Sequence, residues 1–312
     1  VVRLGYFPNL THAPAIVGDR EGLFTAALGP DATLQPSYFN AGPDVVQALF
    51  SDALDAAYIG PNPAINAYAQ SAGAAVRIIA GCTSGGAYLV VHPGITSPQD
   101  LVGTTLATPQ LANTQDVALR AWLAQRGLSA DTAGGGEVSI VPQPNADTLR
   151  AFQAGDIDGA WVPEPWATRL IQEGGGVILV DERDLWPGGR YVTTQLVVRT
   201  EFLEQHPDLV EGLLRGHLAA LAFIAAHPAE ARQITNDGIE AITGARLAEG
   251  VLAAAWPNLT FTWDPIASSL QASADHAVAV GLLDPVDLSG IYDLDILNRL
   301  LAEAGEPPVE GL

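Results

Sequence analysis

The stretch Ala48-Leu49-Phe50-Ser51-Asp52-Ala53-Leu54-Asp55-Ala56-Ala57-Tyr58-Ile59 is echoed without a gap by Ala151-Phe152-Gln153-Ala154-Gly155-Asp156-Ile157-Asp158-Gly159-Ala160-Trp161-Val162. Each copy reads as a helix end, a turn carrying Asp, and a short apolar strand that closes on an aromatic and a β-branched residue. Each then breaks into a Pro-rich loop, Gly60-Pro61-Asn62-Pro63 in the first and Pro163-Glu164-Pro165-Trp166 in the second. The echo predicts two related α/β lobes. Ligands of open α/β sheets bind beyond the carboxyl ends of the strands, so the two loops are expected to face one cleft.

Outward from this pair, strands alternate with helices. Val2 to Phe7, Thr33 to Phe39, Ala56 to Ile59 and Val76 to Ala80 read as strands with helical patterns between them, which predicts a parallel sheet with crossovers. Tyr88 to Val91 is expected to be a strand leaving this lobe, mirrored by Thr193 to Val198 on the return. Between them lie the strands Thr105 to Thr108, Val138 to Ile140, Ala160 to Val162 and Val177 to Val180, with a helix capped by Asn113 and Asp116 and stopped at Gly127. After Glu201 the pattern is helical to the end. The expected organisation is residues 1–93 with 195–312 as one lobe and 94–194 as the other, joined by two strands.

At 312 residues the chain exceeds what one hydrophobic core usually supports. With 48% hydrophobic and 16% charged residues it has ample core. No uninterrupted apolar run approaches the roughly 20 residues that span a bilayer, so no transmembrane segment is expected. The sequence begins at Val1 in a strand-like segment without initiator Met or signal peptide, as a processed or trimmed chain would. Net charge is −21, spread along the chain, and there is no basic patch for phosphates, which argues against nucleic acid. All 14 cations are Arg. Without Lys there is no P-loop lysine, no Schiff-base lysine and no lysine general base. Cys82 is the only cysteine, so neither an intramolecular disulfide nor a thiolate metal cluster can form, and its apolar context predicts a buried small hydrophobe.

Enzymatic constellations are weak. None of the six histidines shows HExxH or another close metal-ligand spacing. Ser84 lacks a nucleophile elbow because Cys82 stands where the first Gly would be. Asp55 and Asp158, paired by the echo, are read as turn caps in preference to an acid/base couple. Four loops follow a predicted strand and open a helix: Pro8 to Pro14, Gly60 to Pro63, Thr108 to Asp116 and Pro163 to Trp166. Helix starts offer unpaired N–H groups and a positive dipole end, so they hold an anion without a cationic side chain. Thr83-Ser84-Gly85-Gly86 adds a fifth loop in which Gly permits close approach. Any one of these is more often an ordinary cap than a ligand site. Their recurrence at the same strand ends of both lobes is what points to a site.

At these loops the chain resembles the solute-binding proteins of ABC importers for aliphatic sulfonates, taurine and nitrate. The resemblance rests on Gly5-Tyr6-Phe7-Pro8-Asn9-Leu10-Thr11-His12-Ala13-Pro14, Tyr58-Ile59-Gly60-Pro61-Asn62-Pro63-Ala64, Thr108-Pro109-Gln110-Leu111-Ala112-Asn113-Thr114-Gln115-Asp116 and Asp158-Gly159-Ala160-Trp161-Val162-Pro163-Glu164-Pro165-Trp166-Ala167. It implies an α/β, two-lobed periplasmic-binding-protein-like (type II) fold on two hinge strands, with a helical C-terminal part. It further implies a cofactor-free monomer outside the cytoplasmic membrane, periplasmic or lipid-anchored at the cell surface, that captures a small anion and delivers it to a membrane permease. Carried over position by position, the implied ligand contacts are Asn9, Thr11, His12, Asn62, Ser84, Gly85, Asn113, Thr114, Gln115 and Trp161. Glu164 shares the last loop. Pointing inward it would repel an anion, which leaves open an amine-bearing ligand such as taurine or an outward salt-bridging role. A receptor for a neutral or cationic metabolite, such as a pyrimidine vitamin precursor stacked on Trp161 or Tyr58, is the alternative within the binding class. An enzyme of thiamine-pyrimidine synthesis would be expected to need a Cys-rich motif and a cofactor-bearing lysine, which this chain lacks.

Overall fold

The computed structural model describes all residues, 1–312. Its strands are β1 (Val2–Tyr6), β2 (Leu34–Tyr38), β3 (Ala56–Ile59), β4 (Val76–Gly85), β5 (Ala87–Val91), β6 (Thr105–Thr108), β7 (Ser139–Pro142), β8 (Gly159–Pro163), β9 (Val177–Asp181), β10 (Val192–Arg199) and β11 (Leu259–Phe261). They form a six-stranded sheet in the order β11-β4-β10-β3-β1-β2 and a five-stranded sheet in the order β7-β6-β8-β5-β9. In the first, β1 runs parallel to β2 and β3 while β10 is antiparallel to β3 and β4. In the second, β6 runs parallel to β7 and β8 while β5 is antiparallel to β8 and β9. The echoed strands β3 and β8 thus hold equivalent places, each between a parallel and an antiparallel neighbour.

The helices are α1 (Ala13–Arg20), α2 (Leu23–Leu28), α3 (Gly42–Phe50), α4 (Pro61–Gln70), α5 (Thr114–Ala124), α6 (Asn145–Ala154), α7 (Trp166–Gln172), α8 (Thr200–Gln205), α9 (Pro207–Ala226), α10 (Pro228–Thr243), α11 (Glu249–Ala255), α12 (Ala267–Ala279) and α13 (Asp295–Ala304). Both sheets are mixed, and both faces of each carry core residues. Side-chain alternation sorts the strands into four cores. On the first sheet Tyr58 and Leu196 join one core and Ile59 and Val197 the other. On the second, Leu89 and Trp161 face one side, whereas Tyr88, Val90, Ala160 and Val162 face the opposite one.

Two expectations change. Residues 87–91, assigned from sequence to the end of the first lobe, pair only within the second sheet, and residues 192–199 pair only within the first. The outward crossing is therefore the Gly85-Gly86 turn, with φ of +81° and +74°, and the boundary falls earlier than 93. Apolar alternation marks a strand but carries no information about which sheet takes it. The C-terminal third is also not wholly helical, since β11 adds an edge strand to β4. One helix, α9, is long and apolar enough by length and composition to cross a membrane. It places Val210, Leu213 and Leu214 in the core of the first sheet.

Candidate functional site

The strand ends of both sheets converge. A chamber of about 30 Å³ is lined by Phe7, Asn9, Thr11 and His12 beyond β1, Asn40 to Gly42 beyond β2, and Gly60 with Pro63 beyond β3. From the second sheet come Pro109 and Asn113 to Gln115 beyond β6, Asn145 beyond β7, and Pro163 at the end of β8, while β10 adds Thr193 and Thr194. The carboxyl ends of six strands thus face one crevice, as expected for open α/β sheets. A larger mouth of about 490 Å³ shares Asn9, Asn40 and Asn145 with the chamber and adds Phe39, Trp166, Arg150, Arg169 and Arg246.

No charged side chain lines the inner chamber. Its polar groups are turned so that donors are left free. Asn9 Oδ1 accepts from Trp166 Nε1 at 3.0 Å, which leaves its amide NH₂ available. Gln115 Oε1 accepts from Asn113 Nδ2 at 3.2 Å, with the same result. His12 Nδ1 accepts from the Phe7 amide at 3.3 Å, so the proton of the neutral ring sits on Nε2. Burial lowers the His12 pKa to about 3, which keeps the ring neutral. Asn113 Oδ1 caps α5 by accepting from Asp116 N at 2.9 Å, and the first amides of α5, at Thr114 and Gln115, have no intrahelical acceptor. Asp116 does not close a reciprocal capping box. Its carboxylate accepts from Ala112 N, Thr108 Oγ1 and Arg120 Nε instead.

The two halves meet across this chamber. Trp166 on α7 reaches Asn9, and Gln110 Nε2 donates to Asp44 at 3.2 Å. Gly60 sits so close to Thr114 that an added Cβ would lie 2.2 Å from its Oγ1. Asn258 Nδ2 donates to Glu164 Oε1 at 2.8 Å, tying the C-terminal segment to the second half.

Of the residues expected from sequence, Asn9, Thr11, His12, Asn113, Thr114 and Gln115 are brought together in the chamber. The others line neither cavity. Asn62 donates from Nδ2 to Ser273 O, and Ser84 Oγ accepts from Tyr191 N. Gly85 O accepts from Thr193 Oγ1. Trp161 is fully buried between strands and α5, donating from Nε1 to Glu182 Oε2 at 2.8 Å. Glu164, 1% exposed, accepts from Thr168 N, Thr168 Oγ1 and Asn258 Nδ2, so its carboxylate faces away from the chamber. Burial raises its pKa, while those donors pull it back. Asn40, Asn145, Thr193 and Thr194 escaped the sequence reading. Asn40 and Asn145 obey the same rule as the chosen loops, a polar residue between a strand and a helix start. Thr193 and Thr194 carry no such signal, lying within a strand.

Two α/β sheets with strand ends closing on an uncharged, donor-lined cleft define a protein of the periplasmic-binding-protein fold. The chain belongs to the NMT1-like family, whose model matches residues 1–237. It is 30% identical over 215 residues to the taurine-binding periplasmic protein of Escherichia coli (strain K12), a match covering 69% of this chain and 64% of that protein. Over a third of that relative's length is thus unmatched. A putative aliphatic sulfonates-binding protein of Bacillus subtilis (strain 168) is 26% identical over 310 residues, covering 97% of this chain and 88% of the relative. Among solved structures, the alkanesulfonate-binding protein of Xanthomonas axonopodis pv. citri bound to MOPS superposes with a TM-score of 0.77 at 19% identity, covering 94% of this chain and 98% of that one.

Proposed function

We propose that this chain is an extracytoplasmic solute-binding protein that captures a small organic anion, an aliphatic sulfonate in the first instance, and hands it unchanged to the permease of an ABC importer. The observation that carries this reading is the polarity of the chamber. Asn9, His12 and Gln115 have their acceptor atoms occupied by neighbouring N–H groups, the first α5 amides have no intrahelical acceptor, and no carboxylate lines the chamber. At about 30 Å³ the chamber suits the oxygens of a head group, and the mouth of about 490 Å³ takes its substituent. The relatives named for taurine and aliphatic sulfonates support the same chemistry.

Asn145 favours an amine-bearing member of the class. Its Oδ1 is buried without a partner at the junction of chamber and mouth, where a ligand N–H would satisfy it. The reading as a receptor for a stacked neutral heterocycle loses support, because Trp161 is enclosed in a core of the second sheet and Tyr58 is bonded to His217 in a core of the first. Native mass spectrometry of the purified protein, followed by calorimetry with ethanesulfonate, taurine, nitrate and bicarbonate against thiamine-like pyrimidines, tests the proposal. A sulfonate at about 100 times its Kd should stabilise the fold by roughly 2.7 kcal/mol. A heterocycle that binds where no anion does, or chemical change of the bound compound, would overturn it.

A further inference from the structure

A cavity of about 110 Å³ opens between α5, the segment Glu182 to Trp186, and α12, and it shares no lining residue with the chamber or its mouth. Its walls include Trp122 from α5, Leu185, Trp186, and His276 from α12. Trp186 is stacked on Tyr191 at 5.4 Å between ring centroids and tilted toward His276 at 5.8 Å. The one carboxylate on the cavity is Glu182, 2% exposed.

Glu182 is not in an ion pair. Its oxygens accept from two indoles, Trp161 Nε1 at 2.8 Å and Trp186 Nε1 at 3.4 Å. The cations nearby are otherwise engaged: Arg183 pairs with Asp181, and Arg126 lies over the Trp122 ring, donating to Trp122 O. Trp122 Nε1 is buried without any acceptor. A buried carboxylate steered by indole N–H groups, beside aromatic faces and an unmet donor, is an incomplete set. Burial raises the Glu182 pKa to about 7. Positive charge of low hydration, on a group compact enough for the space, would hold the carboxylate ionised, while the unmet donor calls for an oxygen.

We propose that this cavity binds a small organic cation, an alkylammonium or quaternary ammonium group, with Glu182 as counter-charge and Trp186 as the π wall. An oxygen on the same molecule would accept from Trp122 Nε1. The site is separate from the cleft and does not rest on what the cleft binds. Because α5 and Trp186 belong to the second half and α12 to the first, an occupant contacts both and favours their closed arrangement.

The test is calorimetry and tryptophan fluorescence of the full chain titrated with methylammonium and tetramethylammonium chloride, against sodium chloride at equal ionic strength. Saturable binding of at least one organic cation, above the sodium control, is expected. Glu182→Gln should weaken it about tenfold or more, the counterpart of roughly 1.4 kcal/mol. Ala118→Leu, which fills the cavity and leaves the carboxylate in place, should abolish it, and in both variants binding at the cleft should persist. No saturable binding beyond sodium chloride, or unchanged cation affinity in Ala118→Leu, would overturn the site, and this readout holds even where Glu182→Gln fails to fold.

Discussion

Asp55 and Asp158 hold the same place in the two sheets. Asp55 Oδ2 accepts from Arg3 N at 2.8 Å and Asp158 Oδ2 from Thr105 N at 2.7 Å. Their amides donate to Arg3 O and Thr105 O, and their carbonyls accept from Arg199 N and His92 N. Each carboxylate therefore stitches the start of an echoed strand to its parallel neighbour, and one also pairs with the Arg3 side chain. Their shared role is architectural.

Alanine at either position should destabilise the fold by about 1–3 kcal/mol, because a backbone N–H loses its acceptor. Ligand affinity, measured under conditions well below the new unfolding transition, should stay within about threefold of the parent. Denaturant unfolding beside calorimetry separates the two effects. A large loss of affinity with unchanged stability would return these residues to the site.

Gly60 makes closure possible. Its φ of −71° suits any residue, so Gly60→Ala should fold normally. The new methyl would meet Thr114 across the chamber. The expected result is a ligand affinity weakened about tenfold or more, with an open form enriched in small-angle scattering. The double variant Gly60→Ala with Thr114→Ser keeps the hydroxyl and should stay weak, whereas pairing Gly60→Ala with Thr114→Gly should recover part of the loss.

Asn113 combines two duties that substitution can part. Asn113→Asp keeps an acceptor for Asp116 N and so preserves the cap, but it puts negative charge at the anion chamber. Stability should change by under about 1 kcal/mol while sulfonate affinity falls about a hundredfold. Asn113→Ala should lose about 1 kcal/mol of stability and less affinity than Asn113→Asp. Equal affinity in the parent and the Asp variant would remove Asn113 from the ligand contacts.

Acid should weaken the fold through His217. The ring is wholly buried, with Nδ1 facing Tyr58 OH at 2.9 Å and Nε2 facing Gly81 O at 2.9 Å. Burial lowers its pKa to about 4, from 6.5. Between those values the unfolded chain binds the proton and the folded chain does not, so stability rises with pH across that window. Acidification from 6.5 toward 4 should therefore cost on the order of 3 kcal/mol from this residue. His217→Gln should reduce the slope and leave the part that His12 contributes with the same sign, as read from urea midpoints at several pH values. Sulfonate affinity, by contrast, should be flat from pH 5 to 8, because burial keeps His12 neutral throughout with its pKa near 3.

What the sequence determined alone is the part governed by local rules. Alternation and helix starts mark β1, β3, β6 and β8 with the loops after them, and the echo around Asp55 and Asp158 announces two kindred sheets. These rules also single out Asn9, His12, Asn113 and Gln115, because a polar residue between strand and helix stands at the strand's carboxyl end wherever the sheet lies. Tertiary structure alone decided which way side chains face and which sheet takes a strand. Trp161 turns into the Leu89 face of the second sheet by the two-residue alternation of β8, Glu164 turns toward Thr168 and Asn258, and Ala87–Val91 joins the second sheet. Asn258 lies 94 residues from Glu164, and Thr193 meets Gly85 across 108. Contacts of that range follow from the packing of whole sheets, and no window of sequence contains both partners.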